Sequence, residues 1–109
     1  MKVFDLADEN GISFAFEVRN ALLGRRGLCT VVSRIPGVRI TMRPAFWSWF
    51  REEEFCRFEV DGIQFVAWEP FGDNSRYWIG PDPPRPIPQL AVVRAAFAQA
   101  SALRARFGA

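Results

Sequence analysis

The 109-residue sequence predicts an α+β domain, with a mostly antiparallel sheet of five to six strands and two helices packed on one face. Three observations carry this. Asp61-Gly62 stands between two runs rich in β-branched and aromatic residues, the strongest short-range hairpin signal. Ile12, Phe14, Phe16 and Val18 alternate with Ser13, Ala15 and Glu17, which is the period of a strand. Leu28, Val31, Val32 and Ile35 instead recur at helical spacing, as do Leu90, Val93, Phe97, Ala100, Leu103 and Phe107. One domain, residues 1–109, accommodates all of these elements, and a chain of this length buries an ordinary core.

In chain order, Lys2–Leu6 reads as a short strand, Asp8-Glu9-Asn10-Gly11 as a turn, and Ile12–Val18 as the second arm of a hairpin. A helix over about 26–35 follows, stopped by Pro36-Gly37, because Pro cannot continue a helix and Gly relieves its end. Val38–Met42 is a strand closed by Arg43-Pro44. A two-residue turn at Asp61-Gly62 sets Val60 opposite Ile63, Phe58 opposite Phe65 and Cys56 opposite Ala67 on one face. On the other face it sets Glu59 opposite Gln64, Arg57 opposite Val66 and Phe55 opposite Trp68. Arg76–Gly80 forms a last strand, antiparallel to Ile63–Trp68. Residues 81–88 hold five prolines, a stiff connector leading to a helix over about 89–107.

Composition removes whole classes of function. There is no His, which excludes His-based acid–base and nucleophile chemistry and the commonest metal ligand. Cys29 and Cys56 lack zinc-ligand spacing, and no loop matches a phosphate-binding or calcium-binding motif. No metal and no cofactor is expected. No apolar run reaches the length of a membrane span, and the acidic turn within the first five residues does not resemble a signal peptide. Two free thiols suit a reducing cytoplasm. Thirteen Arg against one Lys hint at a GC-rich bacterial genome. The net charge of +2 hides an acidic middle, residues 51–83, between basic flanks. That segregation suits a protein partner or self-association better than a uniform nucleic-acid surface.

Three sets of residues are candidates for a site. Phe46-Trp47-Ser48-Trp49-Phe50 is the densest aromatic segment, and an exposed Trp47 or Trp49 would stack on a partner's side chain, a base or a sugar. Leu22-Leu23-Gly24-Arg25-Arg26-Gly27, followed by a helix and then Pro36-Gly37-Val38-Arg39-Ile40, resembles the GxxG region of KH domains. The resemblance spans residues 22–40 and implies a loop that clamps a nucleic-acid backbone, with Arg25 and Arg26 supplying charge. It departs from the family at Thr30 and Ser33, where apolar residues belong, and in having a strand before the loop. Finally, Glu69 and Asp73, close around a turn, are the best-placed carboxylate couple for an enzyme. The leading expectation is a non-catalytic protein-binding module, followed by nucleic-acid or anion binding through Gly24–Gly27. A carboxylate-based enzyme comes third.

Overall fold

The computed structural model describes residues 1–20, 23–42, 54–69, 75–101 and 104–105. Their order is β1 (Val3–Ala7), β2 (Ser13–Arg19), α1 (Gly24–Ser33), β3 (Arg39–Met42), β4 (Glu54–Val60), β5 (Ile63–Trp68), β6 (Arg76–Pro81) and α2 (Gln89–Gln99). The strands form one sheet in the order β1-β2-β6-β5-β4-β3, and every neighbouring pair is antiparallel. This is the expected α+β architecture.

The turn at Asp61-Gly62 forms as its chemistry requires. Asp61 has φ of 53° and Gly62 of 76°, the left-handed values of a primed hairpin turn. The register follows from it: Val60 faces Ile63, Phe58 faces Phe65, Cys56 faces Ala67, Glu59 faces Gln64 and Arg57 faces Val66. At the far end the expected register slips. Glu54, not Phe55, stands opposite Trp68, because the strand bulges between Glu54 and Cys56. The extra residue turns Phe55 into the core, where its ring lies 4.9 Å from that of Tyr77.

Phe16, Val18, Cys56, Phe58, Phe65, Ala67, Tyr77 and Ile79 share one face of the sheet and are fully buried beneath the helices. α1 contributes Leu28, Val31 and Val32, and the residue following its last turn, Ile35, is buried with them. α2 contributes Leu90, Val93 and Phe97. Phe58 stacks on Phe65 at 5.4 Å, while Phe16 meets Phe97 edge-on at 5.5 Å. Burying each such ring stabilises the fold by about 1.5–3 kcal/mol relative to leaving it in water. α1 packs on β3 and β4, α2 on β1 and β2, and the helices touch each other. Arg94 of α2 also clamps Asp5 of β1 through two nitrogens, at 2.7 and 3.0 Å.

The start of α1 and the end of α2 are each met by polar groups from outside the helix. Before α1, Asn20 accepts from the Leu23 and Gly24 amides, the latter through its side chain. α2 ends at Gln99 rather than near Phe107. Ala100 is extended, with ψ of 153°, and the chain is helical again at Arg104 and Ala105. The α-amino group of Met1 donates to the carbonyls of Phe97, Ala98 and Ala100 at 3.1, 2.9 and 2.7 Å. A cation thus takes carbonyls that a continuing helix would have bonded itself, at the negative end of the helix dipole. No described helix is long and apolar enough to cross a membrane.

Candidate functional site

The face of the sheet turned away from the helices carries its own pattern. Cross-strand pairing aligns Phe4, Glu17, Trp78, Trp68 and Glu54 in a single row across β1, β2, β6, β5 and β4. Beside that row stand Leu6 and Ala15, then Gly80, Val66 and Arg57. The indoles of Trp68 and Trp78, with Val66 and Pro81 beside them, border a hollow on this face.

The hollow is a cavity of about 510 Å³ lined by Phe14, Glu54, Val66, Trp68, Trp78, Pro81, Asp82 and Pro84. That lies within the usual size range of ligand pockets. The two indoles are 6.0 Å apart, inclined at 58°. Trp78 folds over Gly80 and Ala15, and Ala15 is wholly buried although it lies on the face away from α1 and α2. Both Trp rings are half-buried, each with part of its surface open.

Charge is distributed unevenly over this face. Around the cavity, Arg57 binds Glu54 through its Nε and Asp82 through Nη1, the latter at 3.1 Å. The hydrogen bond with Glu54 and then that with Asp82 hold the guanidinium above the ordinary arginine range, against the opposing effect of burial. At the other end of the row, Arg76 lies 3.9 Å above the Phe4 ring, with Lys2 and Arg19 at 5.1 and 5.7 Å. Arg76 also reaches Glu17 at 3.3 Å. One end of the face is therefore basic and the other acidic.

The residues singled out in the sequence are placed as follows. Trp47, Trp49 and Asp73 lie outside the described residues. Gly24-Arg25-Arg26-Gly27 forms the first turn of α1 itself and follows β2, so it is not a loop between two helices. Arg25 turns inward: its Nε lies 2.5 Å from Glu69, both side chains are about nine-tenths buried, and its guanidinium covers Phe55 at 4.9 Å. Arg26 is exposed. Glu69, expected beside Asp73 in a carboxylate couple, is thus the buried partner of Arg25.

Sequence reasoning missed Trp68 and Trp78 as a site because each is an ordinary strand residue in its own segment. The signal lay in combining two expectations. An antiparallel partnership of the last two strands, with Tyr77 and Ile79 facing inward, forces Trp78 outward beside Trp68. Among the described residues there is no cluster of His, Cys, Asp and Glu able to hold a metal. The chain matches no family model, no curated protein and no solved structure.

Proposed function

We propose that this chain is a non-catalytic protein-binding module that works through the face of its sheet turned away from α1 and α2, with the Trp68–Trp78 cleft as the contact site. The observation that supports it is the pair of half-exposed indoles flanking a cavity of about 510 Å³. Indoles in such a position give large apolar contact at small entropic cost and dominate many protein interfaces. The sequence, without a single His, adds weight against catalysis. Self-association is one form of this reading. A reducing, cytoplasmic setting in a bacterium suits it, given that Cys29 and Cys56 are both buried in the core.

Native mass spectrometry of the gently purified protein, beside a Trp68→Ala variant with an unchanged circular dichroism spectrum, tests the proposal. A second chain, or a second copy, at fixed ratio in the wild type and absent from the variant is the expected result. An identical assembly in both, or none in either, rejects the cleft as the contact site. Anion binding at the first turn of α1 is the second reading, and the exposed guanidinium of Arg26 is what favours it.

A further inference from the structure

Resting on that reading, we propose that the cleft receives the cationic head of an arginine or lysine side chain presented by the protein partner. Four features of the cleft converge on this ligand. Trp68 and Trp78, in contact at 6.0 Å and inclined at 58°, both line the cavity and give it an aromatic wall, the environment that attracts cations. Two carboxylates, Glu54 and Asp82, line the same cavity. Among the described residues a single guanidinium, that of Arg57, ion-pairs with both, so one of the two negative charges has no cation of its own. Each carboxylate gives one oxygen to Arg57, and the other, Glu54 Oε2 or Asp82 Oδ1, accepts no hydrogen bond from any described residue.

Lys2, Arg19 and Arg76 lie toward the other end of the face, around Phe4. Nearer the cleft, Arg39 is paired with Glu59 at 3.7 Å and Arg85 donates to the Pro83 carbonyl at 2.6 Å, and neither forms an ion pair with Glu54 or Asp82. Val66, Pro81 and Pro84 form apolar walls suited to the methylene stem that arginine and lysine carry behind their charge. A neutral apolar side chain would fill the same space but would leave the second carboxylate's charge unanswered. A phosphate or carboxylate would meet that charge directly and be repelled.

The test uses the intact chain and two probes of nearly equal shape, acetyl-arginine amide and acetyl-citrulline amide. Their binding is followed at the indole N–H resonances of Trp68 and Trp78, assigned through single Trp→Phe variants. The arginine probe is expected to shift both resonances and to bind about tenfold more tightly than citrulline, the preference that one cation–π contact with a partly exposed ion pair supplies. Added salt reduces that preference. In Asp82→Asn the preference for arginine falls toward equality while citrulline binding is retained. Glu54→Gln serves as the second variant should Asp82→Asn fail to fold.

Equal affinity for the two probes overturns the cationic assignment, yet leaves the cleft standing as a contact site. No shift with either probe overturns it too, and the Trp68→Ala comparison then decides separately whether the face binds a protein at all. Tighter binding of an anionic probe, acetyl-aspartate amide, reverses the sign of the charge argument and sinks the proposal.

Discussion

The indole of Trp78 lies so close above Gly80 that a Cβ added to Gly80 would stand 2.7 Å from its Cη2 and 2.8 Å from the Ala15 Cβ. The ring can swing aside, but Ala15 is fixed in a buried strand. Gly80→Ala is therefore expected to cost about 1–3 kcal/mol, as over-packing does. It also lifts Trp78 from its seat. Urea unfolding followed by circular dichroism measures the first effect and tryptophan emission the second. Unchanged stability with unchanged emission would show that the ring does not rest there.

Gly62 makes the opposite argument. A Cβ there meets nothing within 4 Å, yet its φ of 76° belongs to the left-handed region. Gly62→Ala is expected to lose about 1 kcal/mol through backbone strain alone. Asp61→Asn preserves the turn, since Asn tolerates positive φ. A pair of thermal melts separates the two, and equal losses would contradict a primed turn.

Arg25 and Arg26 are adjacent in sequence and unlike in consequence. Arg25→Ala removes the ion pair of Glu69, whose side chain is only 10% exposed, and the cation above Phe55. About 3 kcal/mol of stability is the expected loss, typical when one member of a buried ion pair is deleted. Arg26→Ala is expected to stay within about 0.5 kcal/mol of the wild type, as exposed substitutions do. If the two variants unfold at the same denaturant concentration, Arg25 is not the structural residue described above. An anion-binding role for this turn therefore has to be sought with Arg26→Ala, which leaves the fold intact.

The thiols offer a probe of the core. Cys29 is 5% exposed and Cys56 fully buried. A thiol reagent such as dithionitrobenzoate is expected to react with neither in native protein on the timescale of its reaction with free cysteine, and with both in strong denaturant. Rapid reaction at one site under native conditions would mean that α1, or the β4–β5 hairpin, opens locally.

What the sequence revealed was the information held within short stretches. The Asp61-Gly62 turn dictates the pairing of its own flanks, and the Leu28–Ile35 stripe dictates which side of α1 is buried. Features that depend on remote partners stayed hidden. The bulge that draws Phe55 inward answers to Tyr77 on another strand. The early end of α2 answers to an amine at the other end of the chain, although Ala100 fits the helical stripe perfectly well. Arg25 reads as a free base until Glu69, far along the chain, comes beside it. The Trp68–Trp78 cleft is legible only once two strands are known to be neighbours.

The pairing of β2 with β6 has a consequence for a chain emerging from the ribosome. Phe16 and Val18 are synthesised early, but the residues that stand opposite them, Ile79 and Tyr77, follow only after α1, β3, β4 and β5. Until then the free edge of β2 offers unpaired backbone groups and apolar side chains to whatever is nearby, whereas the β4–β5 hairpin closes on itself as soon as it is made. Synthesis slowed between β2 and β6 would prolong that exposure. The yield of folded protein is therefore expected to fall when translation of the middle of the chain is slowed.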